Sequence, residues 1–450
     1  MASAAEQLAA NININAFSKA TELHKRLWFT VIALIVYRLG TFIPIPGVDA
    51  NAFAHLFQGQ SKGILGMFDM FSGGAVQRMA IFSLNVMPYI SASIIVQLLG
   101  TVYPPWEKLR KEGGEAGRKQ LNQYTRYLTV VLALFQSFGI SMGLNNPSLV
   151  YEPGLFFIIS TMATLTGGTL FLMWLGEQIT ARGIGNGVSL IIMAGIVARL
   201  PGGIVNLLTS ARAGSLPGGG ATLIVVAFGA VAIIGFIVFM ERSQRRILIN
   251  YPKRQMGNRM FGGETSFLPL KLNTAGVIPP IFASSLLLMP ATALQFLTQK
   301  NLPSWAGWVP GAVGQLQHGQ PTFMVVYAAM IIFFSFFYTS IVFNPDDTAE
   351  NLRKYGGFLP GIRPGRNTAA YLDYVLTRLT VIGAGYITLI CLIPEFLMAK
   401  VGTNLAFGGT SILIMVTVTI DTWTQIQSHL LQHQYEGLIK KSRLRGGRRR

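Results

Sequence analysis

The sequence predicts an all-α membrane protein with ten transmembrane helices, and three observations lead to this fold class. First, 51% of the 450 residues are hydrophobic and only 12% are charged, whereas a soluble domain carries about 25% charged residues. Second, the apolar residues form long runs, and one helix needs about 20 of them to cross roughly 30 Å of hydrocarbon. Third, the runs lack the short alternation that is typical of a membrane barrel. Helices are expected because a helix pairs its own backbone groups in lipid.

Ten apolar runs are candidate spans, and the charge of their connections predicts their orientation. The runs cover approximately 25–44, 76–100, 122–144, 154–174, 186–207, 220–240, 274–296, 322–343, 373–394 and 404–426. Lys and Arg are concentrated in the connections 101–121, 241–272 and 344–372 and near both ends of the chain. The positive-inside rule places these regions in the cytoplasm. Both termini then lie on the cytoplasmic side, which requires an even number of spans, and ten spans satisfy this requirement.

The order of the spans divides the chain into four segments. They are a cytoplasmic N-terminal segment 1–23, an N-terminal half 24–207, a C-terminal half 208–426 and a basic cytoplasmic tail 427–450. Each half holds five spans, so the halves insert with opposite orientation, and an inverted repeat is possible. In residues 1–20 no apolar core precedes a small-residue cleavage site, so we expect no cleaved signal peptide.

Residues 63–74, GILGMFDMFSGG, do not have the length of a span. An apolar run this short is typical of a re-entrant or buried segment. The run contains Asp69 and ends in Gly73 and Gly74, which would supply a permissive hinge.

Several classes of protein are disfavoured by the residues alone. The net charge of +18 would indicate nucleic-acid binding in a soluble protein, but in a membrane chain it is first a topology signal. The sequence has one cysteine, Cys391, and no GxxxxGK[ST] or HExxH motif. The GxSxG run at 139–143 lies at a span end without a preceding strand, and 183–187 lacks the full spacing of a dinucleotide turn. We therefore expect no enzyme, no cofactor and no metal.

The positions of the acidic residues bear on one further class of protein and on one local structure. An ion-coupled transporter would place ionisable groups at mid-span, whereas most acidic side chains lie at span ends or in loops, as Glu177, Glu241 and Glu395 do. This weakens a transporter without excluding it. Asp346 and Asp347, in the second basic loop, are expected to form a solvated turn or a helix cap.

Six longer segments of the chain carry the motifs of a known family. They are RLGTFIPIPGV at 38–48, MFSGGAVQRMAIFSLNVMPYISASIIVQLL at 70–99, FLMWLGEQITARGIGNGVSLIIMAGIV at 171–197, LPLKLNTAGVIPPIFASS at 268–285, FNPDDTAENLRKYGGFLPGIRPG at 343–365 and FGGTSILIMVTVTID at 407–421. Together these segments resemble the SecY family, the pore subunits of the bacterial protein-secretion channel. The resemblance runs from about residue 24 to 445. One departure is Asn85, which stands where the family has a glycine.

The resemblance implies a fold, a function and a set of partners. The fold is two inverted five-helix halves, arranged as a clamshell around an hourglass pore with a short plug helix. The function is to conduct unfolded secretory polypeptides across the bacterial plasma (inner) membrane and to release transmembrane segments laterally into lipid. The implied partners are SecE-like and SecG-like small membrane subunits, the SecA motor ATPase, the ribosome with its RNA and its proteins near the exit tunnel, signal peptides, nascent chains and membrane lipid.

The resemblance also assigns four sets of site residues. The pore ring consists of Val86, Ile90, Val188, Ile192, Ile281 and Ile414. The plug, at about 63–74, includes Ile64, Leu65, Met67, Phe68, Phe71, Gly73 and Gly74. The lateral gate lies between the second and seventh spans, with the third and eighth spans behind them, and we single out Ser91, Gln97, Asn186 and Thr274. Docking of the motor or the ribosome falls to Arg245, Arg246, Lys253, Arg254, Arg259 and Arg363.

Overall fold

The computed structural model of the protein describes residues 21–49, 52–53, 69, 71–111, 113–145, 147, 149–213, 220–251, 254–256, 259–261, 265–297, 311, 320–401 and 408–446. Twelve helices and four strands in these ranges position the candidate sites. The helices are α1 Thr21–Gly40, α2 Met87–Val102, α3 Pro104–Lys111, α4 Gly114–Leu144, α5 Leu155–Arg182, α6 Gly187–Arg212, α7 Gly220–Arg242, α8 Ile278–Leu297, α9 Pro321–Val342, α10 Pro345–Lys354, α11 Arg366–Val401 and α12 Gly409–Gly446. The strands are β1 Gln244–Asn250, β2 Arg254–Met256, β3 Arg259–Phe261 and β4 Thr265–Lys271.

Six helices within the described ranges are long and apolar enough to cross a membrane, and two shorter apolar helices, Met87–Val102 and Ile278–Leu287, accompany them. Several helices continue beyond the predicted spans. Helix α4 begins at Gly114 rather than near 122, and α12 continues to Gly446. Hydropathy marks the stretch that suits hydrocarbon, whereas charged residues beyond it still form helix.

The connection 241–272 contains the strands, which the predicted all-α fold class did not include. Strands β1 and β4 pair antiparallel from Gln244 opposite Lys271 to Asn250 opposite Thr265. Strands β2 and β3 pair at the tip, with Arg254 opposite Phe261. Ile247 and Ile249, which alternate with exposed Leu248 along β1, are buried. A two-residue period over so short a stretch is easily missed in a basic loop.

The second cytoplasmic connection is joined to this ladder. The backbone N–H of Asn250 donates to Phe358 O (2.9 Å), and the N–H of Phe358 donates to Asn250 O (3.0 Å). Next to the Asn250–Phe358 bridge, side chains from β1 and β4, from the second connection and from α11 form one apolar core. Its buried members are Ile247, Leu270, Leu359, Leu372, Val375 and Leu379.

Helix α10 lies in the same connection and begins with a cap. Asn344 Oδ1 accepts a hydrogen bond from the N–H of Asp346 (3.1 Å), and Pro345 occupies the first turn. Asp346 and Asp347 lie in that first turn, where negative charge complements the helix dipole. The sequence predicts a solvated turn or a helix cap at Asp346 and Asp347, but the capping residue is Asn344 and the two aspartates follow it in the first turn.

The chain forms two compact units. The first contains Met1–Ala92, Thr125–Pro201 and Ile414–Arg450, and in it α1 packs against α5. Its largest described core includes Ile45, Leu84 and Leu165. The second contains Ser93–Tyr124 and Gly202–Leu413, and in it α9 packs against both α8 and α11.

Candidate functional site

The predicted ring positions are aliphatic side chains on four helices or at their starts. Val86 is fully buried, and Ile90, Ile192, Ile281 and Ile414 are each at most 8% exposed. The N–H of Ile90 donates to Val86 O (3.0 Å), so these two residues stack one turn apart at the start of α2.

The turn 183–187, which leads from α5 into α6, is held from two distant parts of the chain. The N–H of Ile184 donates to Thr30 Oγ1 of α1 (3.1 Å). The N–H of Gly185 donates to Gln425 Oε1 of α12 (2.8 Å). The turn is therefore a junction of helices, which accounts for its glycines without any nucleotide.

The start of α6 is equally constrained. Asn186 Oδ1 caps the helix by accepting from the N–H of Val188 (3.2 Å), and the N–H of Gly187 donates to Thr180 Oγ1 (2.9 Å). A Cβ added to Gly187 would collide with the carbonyl oxygen of Gly176 on α5. These contacts fix the position of Val188, the first predicted ring residue of α6.

Asn85, the departure from the family pattern, has a left-handed backbone with φ of +50°. Asparagine adopts this conformation more readily than other residues with a side chain. Its Nδ2 donates to the carbonyl oxygen of Phe71 (2.6 Å). Asn85 therefore keeps the backbone shape of a glycine and adds a hydrogen bond that a glycine cannot make.

Two further side chains hold the residues that follow Phe71. The hydroxyl of Tyr37 donates to Ser72 O (3.3 Å), and Arg38 Nη1 donates to Gly73 O (2.7 Å). Three successive carbonyls, 71 to 73, thus each accept from a side chain outside their own segment. Buried carbonyl groups need such partners. We call residues 71–74 the anchor turn.

Glycine is required at Gly73, in the anchor turn, for two reasons. Gly73 and Gly74 have φ of +66° and +90°, values that few residues with a side chain adopt. A Cβ added to Gly73 would lie 2.9 Å from the Cα of Gly195 on α6. The backbone of the turn therefore packs directly on the backbone of α6.

Asp69, just before the anchor turn, forms an ion pair with Arg199 of α6. The Asp69 side chain is 2% exposed and that of Arg199 is 32% exposed. Asp69 Oδ1 also accepts from the N–H of Gln77 (2.8 Å). A buried carboxylate is tolerated only when it is paired in this way.

Two more arginines, Arg38 and Arg78, lie over the ring of Phe42 close to the anchor turn. The guanidinium of Arg78 lies 4.0 Å and that of Arg38 4.8 Å from the ring centre of Phe42. A Cβ added to Gly74 would lie 3.0 Å from Arg78 Nη2 and 3.5 Å from Arg199 Nε, so Arg78 and Arg199 both lie against the anchor turn.

The four predicted gate residues have different surroundings. Ser91 is buried, and Thr274 Oγ1 donates to Lys271 O (3.3 Å). Gln97 Nε2 donates to Ser93 Oγ (3.2 Å), while no group in the described ranges donates to its buried Oε1. Asn186 caps α6, as described above, so it has a structural role in addition to any gate role.

The predicted docking cations lie on the strands and in the second connection. Arg245 and Arg246 are exposed on β1, and Arg254 and Arg259 belong to β2 and β3. Arg363 is exposed, and its carbonyl accepts from Thr368 Oγ1 (3.1 Å). Five predicted residues lie outside the described part of the chain: Ile64, Leu65, Met67, Phe68 and Lys253.

A sequence profile of the SecY family matches residues 80–423. The chain belongs to the SecY family. The protein translocase subunit SecY of Vibrio cholerae is 53% identical over 435 residues, which cover 96% of this chain and 97% of that protein. Recognition of the family from its motifs is thus confirmed.

Two solved structures show the fold of this SecY-family chain. A protein-conducting channel superposes with a TM-score of 0.66 at 17% identity, covering 91% of this chain and 93% of that one. Sec61 from a canine ribosome–channel complex of the endoplasmic reticulum superposes with a TM-score of 0.63 at 18% identity, with the same coverage.

The residues that hold the anchor turn of this SecY-family protein were only partly visible in the sequence. Arg38, in an apolar run, and Asp69, in a short apolar segment, are unusual enough to be noticed. Tyr37 and Arg199 are not, because an aromatic residue and a cation near a span end are ordinary in membrane helices.

Proposed function

We propose that this chain is the pore-forming subunit of a protein-translocation channel. It conducts unfolded polypeptides across the membrane and releases apolar segments sideways into lipid. The observation that carries the proposal is the match to the SecY family over residues 80–423, together with 53% identity to a translocase subunit over almost the whole of both chains. Conducting a polypeptide through a pore requires no chemical step, so the chain is proposed to be a channel and not an enzyme.

The seal of the pore is assigned to the aliphatic ring Val86, Ile90, Val188, Ile192, Ile281 and Ile414. A polypeptide pore must pass side chains of every size yet leak few ions. A rigid polar filter cannot do both, whereas aliphatic side chains deform around a chain and dewet when the pore is empty. The deep burial of five of these side chains supports the assignment.

The second part of the seal is the plug at about 63–74. The anchor turn supports this assignment, because hydrogen bonds hold the C-terminal end of the segment to α1 and to Asn85, and Gly73 packs on Gly195 of α6. A segment of this kind needs one fixed end if it is to return to the same place after each transport cycle.

The lateral exit is assigned to the seam of α2 and α4 with α8 and α9. Polar contacts between membrane helices contribute only about 0.6–2 kcal/mol each, which suits a seam that must open. Gln97 supports this role, since its Oε1 is buried without a donor in the described ranges. Replacing Gln97 with leucine should alter the stringency of signal-sequence selection, and unchanged stringency would remove Gln97 from the gate.

Energy for transport must come from partners that dock on the cytoplasmic side. We assign the ladder β1–β4 mainly to the ribosome and Arg363 to the SecA motor, and we expect SecE-like and SecG-like subunits to flank the chain. The exposure of Arg245, Arg246 and Arg363 supports docking. The solved Sec61 relative is itself part of a ribosome–channel complex.

The proposed topology is ten spans in two inverted halves, with both termini in the cytoplasm of a bacterial cell. The six long apolar helices and two shorter ones support a multi-pass membrane protein. The basic connections give the orientation through the positive-inside rule.

The test is reconstitution of the chain in lipid vesicles with its small subunits and a SecA-type motor. A protein-conducting channel predicts import of a polypeptide that depends on its signal sequence, together with a low ion leak at rest. Ion-coupled uptake of a small solute without polypeptide transport would contradict the proposal and favour a secondary transporter.

A further inference from the structure

Arg110 makes a hydrogen bond between distant parts of the sequence. Its Nη2 donates to the carbonyl oxygen of Ile341 at 2.8 Å, and 231 positions separate the two residues. Arg110 lies on the short helix α3, between α2 and α4, while Ile341 lies in the last turn of α9. Both belong to the second compact unit.

The carbonyl of Ile341 needs a partner from outside its own helix. The last four carbonyls of a helix have no intrahelical donor. After Val342 the chain leaves the helix, because Phe343 and Asn344 are extended and Pro345 has no N–H to offer. A guanidinium at this end also complements the negative end of the helix dipole. Arg110 therefore caps α9 from another part of the chain.

The helix that carries Arg110 is firmly attached to its neighbours. The ring of Trp106 stacks on that of Tyr124 in α4, with centroids 5.0 Å apart and an angle of 4°. The N–H of Gly113 donates to Leu109 O (3.2 Å) in the turn that leads to α4. A Cβ at Gly117 would collide with that same carbonyl, so α3 and the start of α4 are in direct backbone contact. A movement of α2 and α4 would therefore carry Arg110 with it.

Helix α9, which carries Ile341, is also firmly attached to its neighbours. Helix α9 packs against α8 and α11, and α10, which begins at Pro345, packs against α11. The bond thus joins α3, which is attached to the start of α4, to α9, which is packed between α8 and α11.

We propose that Arg110 is a clasp across the cytoplasmic end of the lateral gate, and that its bond to Ile341 must break before the gate opens. This rests on the proposed function, which assigns the seam to α2 and α4 on one side and α8 and α9 on the other. Arg110 is then a specificity-determining residue. The clasp stabilises the closed state, so only a strongly apolar signal sequence gains enough by inserting to open the gate.

The experiment uses membrane vesicles from cells in which this chain is the sole SecY-family protein, assembled with its natural partners. Two substrates are compared, one with an intact signal sequence and one whose apolar core is shortened. The variants are Arg110→Gln, which removes the charge, and Arg110→Lys, which keeps the charge but loses the planar fork of donors. The matched control is Lys108→Gln, because Lys108 is exposed on the same helix.

Arg110→Gln is expected to raise export of the weak substrate roughly tenfold relative to the intact one, the order expected when the closed state loses one charged hydrogen bond. Arg110→Lys should give a smaller rise, and Lys108→Gln none. The amount of assembled chain in the membrane normalises each rate, so poor folding of one variant cannot imitate the effect.

Equal ratios for wild type, Arg110→Gln and Arg110→Lys would overturn the clasp while leaving the channel intact. Equal rises for Lys108→Gln and Arg110→Gln would also overturn it, because they would show a general effect of loop charge. Failure of the wild type to export either substrate would contradict the proposed function and the clasp together.

Discussion

The amide of Asn85 donates to the carbonyl oxygen of Phe71 at 2.6 Å, across 14 positions of the chain. The bond joins the residue just before the predicted ring position Val86 to the first residue of the anchor turn. In this chain the predicted ring and the end of the predicted plug segment are therefore connected by a side chain that the family pattern does not contain.

Replacing Asn85 with aspartate should raise the resting ion leak of the channel. Aspartate keeps the shape and tolerates the left-handed backbone, but its carboxylate cannot donate and would face a carbonyl oxygen. The loss of one buried hydrogen bond costs about 1–3 kcal/mol. Single-channel conductance in planar bilayers measures the leak.

The control for this change is Asn85→Gly, which removes the bond without placing a negative charge beside Phe71 O. We expect a smaller leak than for aspartate. An Asn85→Asp channel as tight as the wild type would show that the bond plays no part in the seal.

The ion pair of Asp69 with Arg199 predicts an asymmetry between two variants. Arg199→Gln leaves a carboxylate that is 2% exposed without its partner, whereas Asp69→Asn leaves a guanidinium that is 32% exposed and can be hydrated. Breaking a buried pair costs about 3–5 kcal/mol when the remaining charge cannot reach water. Arg199→Gln should therefore be the more destabilising and the leakier variant.

Thermal unfolding in detergent and bilayer conductance together check this order. Arg212→Gln serves as the matched control, because Arg212 ends the same helix and is exposed. If Asp69→Asn lowered the thermal stability and raised the ion leak as much as Arg199→Gln, the difference in exposure between the two side chains would not explain the cost of breaking the ion pair.

The sequence predicts much of the helical framework but little of the anchor turn. Long apolar runs mark helices such as α4 and α5 because lipid demands continuous apolar surface. The partners of Phe71, Ser72 and Gly73 cannot be deduced from local pattern, since Tyr37 and Arg38 are 35 positions away from the carbonyls that they bind.

Glycines illustrate the same limit. The pair Gly73 and Gly74 indicates a permissive backbone, and the sequence can say no more. The structure adds that Gly73 packs on the backbone of Gly195, a contact between residues that no sequence pattern relates. The strands β1 and β4 were missed for a different reason, because their two-residue period is short and lies among cations.

Ile192→Gly and Ile281→Gly should each increase the ion leak at rest. Both side chains are buried at predicted ring positions, and removing either leaves a gap through which water can pass. The control is Ile159→Gly on α5, whose side chain is 58% exposed. It carries the same helix penalty of about 1 kcal/mol but opens no gap in the ring. Equal leak in all three variants would point to general destabilisation.

The two cytoplasmic connections should respond differently to charge reversal. Arg254→Glu with Arg259→Glu should weaken ribosome binding and lower its dependence on salt, because fewer phosphate contacts release fewer counterions. Arg363→Glu should stop motor-driven export while the channel still assembles. Ribosome co-sedimentation over a salt series and SecA-dependent export measure the two effects.

The control for charge alone is Arg353→Glu, in the last turn of α10. This substitution changes the net charge of the second connection by the same amount as Arg363→Glu, but it does not alter a predicted docking residue. Normal export by Arg363→Glu would remove that residue from the coupling role.

The central claim is that a polypeptide passes through this chain at the aliphatic ring, and site-specific photocrosslinking of an arrested substrate tests it most directly. A photoreactive residue is placed in turn at Ile192, at Ile281 and at the exposed control Ile159, and the substrate is stalled midway by a folded domain. Crosslinks at Ile192 and Ile281 that depend on the signal sequence, with none at Ile159, are predicted. Crosslinks that are absent at both ring positions, or equally strong at Ile159, would contradict the account.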